Sequence, residues 1–131
     1  MPHSKTILVA EDEPDIRGLI KFSLEFIGLT VVEATNGQEA VDMAPDVNPD
    51  LIMLDVRMPK LSGYEACKKL KEQDATRDFP VVFLSARGQD QEIKYGLGLG
   101  AVEYILKPFA PDELQKRVSS LLERLEKDSD L

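Results

Sequence analysis

The chain is predicted to be an α/β protein, an open three-layer sandwich in which a five-stranded parallel sheet is covered on both faces by five helices. Three observations predict this. Ile7-Leu8-Val9-Ala10, Leu51-Ile52-Met53-Leu54, Val81-Val82-Phe83-Leu84 and Tyr104-Ile105-Leu106 are unbroken apolar runs, as expected of strands buried on both faces. Helix-length segments separate the strands, and alternating strand and helix implies right-handed crossovers and a parallel sheet. The 131 residues, 43% hydrophobic and 31% charged, suit one domain with its own core, expected over about residues 5–126.

The first strand gives way to a helix over about Asp15 to Ile27. There Ile16, Leu19, Ile20, Leu24 and Ile27 recur at helical spacing, and Gly28 stands where a C-terminal glycine belongs. Thr30 to Ala34 forms the second strand. Asn36-Gly37 could turn a hairpin, but Gln38 to Ala44 is helical in pattern. The pair is therefore read as the turn and cap of a short helix closed before Pro45. The third strand ends at Asp55, and a loop with Pro59 and Gly63 leads to a helix faced by Tyr64, Cys67, Leu70 and Lys71.

The fourth strand ends at Ser85. Its helix, about Gln89 to Leu99, is weakened by Gly96, Gly98 and Gly100, since an interior Gly costs about 1 kcal/mol relative to Ala. Such a pattern reads either as a segment that is not a helix or as a mobile one. The last helix opens with Pro111, Asp112 and Glu113, which suit a first turn and its dipole. It carries the stripe Leu114, Val118, Leu121, Leu122 and Leu125. Glu126 to Leu131 is expected to fray.

The net charge of −8 argues against direct nucleic-acid binding, whose affinity comes from cationic contacts to phosphate. It suits binding of cations or basic protein surfaces. The single cysteine, Cys67, excludes an internal disulfide and lies on an apolar helix face, so it is expected to pack as a core residue. No apolar run reaches the ~18 residues needed to span a bilayer. Met1-Pro2-His3-Ser4-Lys5 leads directly into the first strand without a secretory apolar region, so the expected location is the cytoplasm.

Each of four strands runs into a polar residue suited to phosphate or metal: Glu11-Asp12, Asp55, Ser85 and Lys107. Ligands bind beyond the carboxyl ends of parallel strands, where loops and helix N-termini converge. Taken singly, Glu11-Asp12 reads first as an acidic helix cap, Ser85 as a helix cap, and Lys107 as a solvated surface charge. Together they place three carboxylates, a hydroxyl and an amine in one pocket. Three converging carboxylates repel one another without a counter-ion, and Mg²⁺ prefers a few carboxylate oxygens with water and phosphate oxygens. Asp55, closing an apolar strand, is the candidate nucleophile, with Lys107 and Ser85 neutralising and hydrogen-bonding the other phosphoryl oxygens. A cis bond between Lys107 and Pro108 would turn the amine back over the strand ends.

The stretches Val9-Ala10-Glu11-Asp12-Glu13-Pro14, Asp55-Val56-Arg57-Met58-Pro59 with Gly63, Leu84-Ser85-Ala86, Gly100-Ala101 and Lys107-Pro108-Phe109 resemble the receiver domain of two-component response regulators. The resemblance covers Ile7 to about Leu125 and implies a flavodoxin-like (CheY-like) fold with strand order 2-1-3-4-5. It implies that Asp55 is the phosphoacceptor, taking a phosphoryl group from a partner histidine kinase or phosphotransfer protein. Asp12, Asp55 and the backbone carbonyl of Arg57 would ligate Mg²⁺, with Glu11 acting through water. Ser85 and Lys107 would bind phosphoryl oxygens, with a cis Lys107-Pro108 bond. Tyr104 matches the family's switch aromatic, which turns inward when the hydroxyl residue moves toward phosphate. From the residues alone it reads as a half-buried strand aromatic. The implied output is a protein-interaction surface on the fourth helix, fifth strand and fifth helix, read by a downstream protein target.

Several positions depart from the common family pattern. Glu11 stands where many members have Asp, Ser85 replaces the commoner Thr, and Ala86 is small enough to leave an acyl phosphate accessible to water or a phosphatase. Arg57 and Arg87 flank the pocket. Gly98 and Val102 occupy acidic positions of the winged-helix regulators' dimer surface, although Glu103 and Arg117 remain; the departure argues against that dimer. The rival class is a small Mg²⁺-dependent phosphatase of the haloacid dehalogenase type. Such enzymes carry a second Asp two residues after the nucleophile, where this chain has Arg57, and place their acidic pair late in the chain. A scaffold receiver that signals without phosphate would be expected to have lost Asp55, Lys107 or an acid. The expectation is a stand-alone regulator acting through protein contacts, with the N-terminal part of a longer regulator as the alternative, and not an enzyme beyond catalysing its own phosphorylation and dephosphorylation.

Overall fold

The computed structural model describes residues 4–86 and 88–129. Ten elements alternate: β1 (Thr6–Ala10), α1 (Pro14–Phe26), β2 (Thr30–Ala34), α2 (Gly37–Val47), β3 (Leu51–Asp55), α3 (Gly63–Glu72), β4 (Val81–Ser85), α4 (Asp90–Gly98), β5 (Glu103–Leu106) and α5 (Pro111–Ser129). All strand pairs are parallel, in the order β2-β1-β3-β4-β5. This is the predicted flavodoxin-like topology. Among the described residues, no helix is long and apolar enough to cross a membrane.

Each central strand feeds two cores, because successive side chains point to opposite faces. Ile7, Val9, Leu51, Met53, Val82 and Leu84 pack with α1 and α5 through Ile20, Leu24, Leu114, Val118 and Leu121. Leu8, Ala10, Ile52, Leu54, Val81 and Phe83 pack with α2 and α3 through Ala40, Val41, Ala44, Ala66, Cys67 and Leu70. Burial on both faces explains why these strands have no polar alternation. Cys67 is fully buried, and burial pushes its thiol pKa up, consistent with packing and not reactivity.

Two boundaries differ from the sequence expectation. α2 is not closed before Pro45 but continues through it to Val47. Proline removes one N–H in the final turn, yet the Asn48 N–H still reaches Ala44 O at 2.9 Å, and Asn48 closes the helix in the left-handed region. The expected fraying tail is helical as far as Ser129. Lys127 stands i,i+4 from Glu123, the favourable order for a helix, and Leu125, just before the tail, still packs on the core. The remainder of the tail, Asp130 and Leu131, lies outside the described residues, as do Met1 to His3 and Arg87.

Candidate phosphoryl site at the carboxyl ends of the strands

β1, β3 and β4 are registered neighbours, so Glu11, Asp55 and Ser85 emerge at one edge of the sheet. β5 ends beside β4 and hands Lys107 into the same place, with Lys107 N–H donating to Ser85 O at 2.8 Å. The Lys107-Pro108 bond is cis. Gly63 lets the loop after β3 close against the site: a Cβ there would lie 2.4 Å from Asp55 O, while its N–H donates to Val56 O at 2.9 Å.

Lys107 is the electrostatic centre. Its ammonium donates to Glu11 Oε1 at 2.6 Å and to Asp55 Oδ1 at 2.9 Å. Glu11 is fully buried, and its second oxygen accepts the Glu13 N–H at 3.3 Å. Arg17 clamps the Glu11 backbone by donating to its carbonyl at 2.8 Å. Burial raises the Glu11 pKa to about 7; the bond from Lys107 opposes the shift and the nearby Asp55 charge adds to it. Burial also raises Asp55, again against Lys107. For Lys107, burial is outweighed by the two carboxylates, which hold its proton more tightly than in free lysine.

One oxygen from each of Glu11, Asp12 and Asp55 lies within 4.8 Å of the others. Hard oxygen donors, converging and short of positive charge, fit a divalent cation such as Mg²⁺. A cavity of about 590 Å³ opens over them, lined by Asp12, Glu13, Ile16, Leu19, Asp55, Arg57, Ser85, Ala86, Lys107, Pro108 and Phe109. Asp55 and Ser85 are only 5% exposed yet reach its floor. Glu11 is not on the lining and sits behind Lys107. Arg57 is exposed at the rim. The site thus unites every polar residue anticipated at the strand ends.

Tyr104 lies on the other side of β5. It is 7% exposed rather than half-buried, and its hydroxyl meets that of Tyr64 at 3.1 Å. Sequence reasoning took Tyr64 only as part of a helix face, and no local spacing could connect residues 40 positions apart. Arg17 and the apolar wall of Ile16, Leu19 and Phe109 were likewise missed as site residues, being legible only as an amphipathic helix and a motif flank. Arg117 and Glu103, the two charged residues left from the winged-helix regulators' dimer surface, pair with each other within the chain at 3.7 Å.

Residues 7–119 match the family model described as the response regulator receiver domain. The chain is 43% identical over 123 residues to the alkaline phosphatase synthesis transcriptional regulatory protein PhoP of Bacillus subtilis, covering 94% of this chain and 50% of that protein. It is 42% identical over 120 residues to the phosphate regulon transcriptional regulatory protein PhoB of Pseudomonas aeruginosa, covering 92% and 52%. The chain therefore spans about half the length of these curated relatives. Among solved structures, the Francisella response regulator 1452 receiver domain superposes with a TM-score of 0.85 at 36% identity, covering 92% of this chain and 98% of that one. The chemotaxis response regulator CheY4 of Vibrio cholerae gives 0.86 at 28% identity, covering 91% and 99%. Sequence, topology and strand-end chemistry agree: the chain belongs to the response regulator receiver domain family.

Proposed function

We propose that the protein is a phosphoaspartate switch. Asp55 accepts a phosphoryl group from a phosphohistidine on a partner kinase or phosphotransfer protein. The observation that carries this reading is Asp55 itself, at the floor of an open cavity, within 2.9 Å of a lysine ammonium and within reach of two further carboxylates. An Asp55 oxygen attacks phosphorus, the P–N bond to the donor imidazole breaks, and that nitrogen keeps the electron pair. The product is an acyl phosphate. Water attack on phosphorus returns the carboxylate and inorganic phosphate, so the signal is timed.

Lys107 orients Asp55 before transfer and follows the charge onto a phosphoryl oxygen afterwards. Ser85 is placed to donate its hydroxyl to another oxygen. The acidic cluster fits Mg²⁺, which Asp12, Asp55 and the Arg57 carbonyl would hold, with Glu11 one step behind. When bound, the ion supplies positive charge that offsets the carboxylates and the incoming phosphoryl oxygens. Ile16, Leu19 and Phe109 give the cavity an apolar wall. The receiver is a signalling module, and its self-catalysed phosphorylation and dephosphorylation serve that role. We place it in the cytoplasm, acting on a protein target through the α4, β5 and α5 surface, with no direct nucleic-acid contact, as its net charge of −8 favours.

Intact-protein mass after incubation with Mg²⁺ and acetyl phosphate tests the reading. One hydroxylamine-labile phosphoryl group is expected, absent from Asp55→Asn and absent without metal. An adduct that persists in Asp55→Asn, or no adduct in the wild type, would contradict it.

A further inference from the structure

The aromatic cluster between α3, α4 and the sheet takes no direct part in phosphoryl chemistry, yet it holds a specific contact. Tyr64, in the first turn of α3, meets Tyr104 of β5 hydroxyl to hydroxyl at 3.1 Å. Its ring stands edge-on to Phe83 at 4.9 Å and to Tyr95 at 5.0 Å, so the hydroxyl is aimed by packing on two sides. Tyr104 lies against Phe83 with ring centroids 6.1 Å apart. Gly96 closes the seat tightly: a Cβ there would come within 3.1 Å of Tyr104 Cδ2 and Cε2 and within 3.0 Å of Phe83 Cδ2, so the rings would have to give by a few tenths of an ångström.

The strands link this seat to the phosphoryl site. Phe83 and Tyr104 are registered partners on β4 and β5, and two residues further along Ser85 is registered with Leu106, next to Lys107. The Tyr104 seat therefore lies two residues along the same paired strands from the ends that carry Ser85 and Lys107.

We propose that Tyr64 is a positioning residue whose hydroxyl holds Tyr104 in its buried seat and so sets the balance between the buried and exposed placements of that side chain. The consequence for signalling rests on the phosphoacceptor reading above; the seat itself does not. Burial first, and then the bond to Tyr104, push the Tyr64 pKa up, so Tyr64 remains a neutral phenol at physiological pH. One hydrogen bond contributes a net 0.5–1.5 kcal/mol in typical cases, so its loss shifts the buried-to-exposed ratio roughly 2- to 10-fold.

Tyr64→Phe removes the hydroxyl and keeps the ring. Hydroxyl-radical labelling of the full chain, read by peptide mass spectrometry, reports the exposure of Tyr104. Labelling of Tyr104 in Tyr64→Phe is expected to rise roughly 2- to 10-fold over wild type, with cooperative melting retained. Gly96→Ala reaches the same end from the opposite side, crowding the seat while improving α4 helix propensity, and should also raise the labelling. Equal Tyr104 labelling in wild type and Tyr64→Phe overturns the assignment, because ring packing alone would then hold the seat. Acetyl phosphate uptake by the same wild-type preparation separates the two readings. Responsive labelling with no uptake supports the Tyr64 assignment and overturns the phosphoacceptor reading. Normal uptake with unresponsive labelling overturns the Tyr64 assignment alone.

Discussion

The carboxyl ends of the strands and helix α4, only a few residues away, are built on opposite principles. At the strand ends, Glu11, Asp55 and Ser85 are almost wholly buried, and Lys107 ties Glu11 and Asp55 together. α4 has nine residues, buries only Gly96, and has no side-chain cap at Gln89. Its neighbour α3, of similar length, has a reciprocal capping box between Ser62 and Glu65 and buries Ala66, Cys67 and Leu70. Group transfer needs atoms held in place, because misplacement is costly in rate. A responsive surface needs an element whose ordering free energy is small enough for a local charge change to shift it. On the proposed reading the two demands fall to different segments, the buried strand ends and the sparsely packed α4, with β4 and β5 lying between them.

Breaking the fixed region should have the largest effect. Lys107→Met removes the cation that bridges Asp55 and Glu11 and should slow acetyl phosphate uptake about 100-fold or more, measured by intact mass over time. Uptake within threefold of wild type would remove Lys107 from the transfer step.

The next effect is a pH dependence specific to the fixed region. Glu11 titrates near 7 in the folded chain, above its ordinary 4.5. Its folded-state pKa is raised, so the stability tied to its proton is full below pH 4.5 and is lost as pH rises through about 7. In divalent-free buffer the melting temperature should fall across that window, and Glu11→Gln should flatten the fall. Mg²⁺ should stabilise more above pH 7 than at pH 5, since it needs ionised carboxylates. A slope unchanged by Glu11→Gln would contradict this origin.

The smallest effects sharpen the contrast between α3 and α4. Ser62→Ala should cost about 1 kcal/mol, or about 4 °C in melting temperature, by removing the α3 cap. Gln89→Asp supplies the cap α4 lacks and should raise amide protection in α4. If Ser62→Ala and Gln89→Ala cost the same, the two helix starts do not differ as described.

The fold was legible because burial on both sheet faces leaves a direct trace, namely unbroken aliphatic runs such as Leu51 to Leu54. The site was legible because each run stops at a functional group. Features made by distant partners were not legible. Glu11 meets Lys107, 96 residues away, and Tyr104 meets Tyr64 and packs close against Gly96, contacts that no local spacing announces. Pro45 misled because proline is a strong helix breaker in the interior of a helix but tolerable in a last turn that Asn48 can close. The length of α5 was underestimated because charged, exposed residues carry little periodic signal even when Leu125 still anchors them.

The most direct test of the coupling between fixed site and soft helix is amide hydrogen exchange across residues 91–100, with and without phosphorylation by acetyl phosphate and Mg²⁺. Asp55→Asn serves as the control. Changed protection in this segment upon phosphorylation is predicted, with little change in the buried strands β1 and β3 and none in Asp55→Asn. Identical exchange across residues 91–100 in phosphorylated and unphosphorylated protein would contradict the claim that the fixed site drives α4.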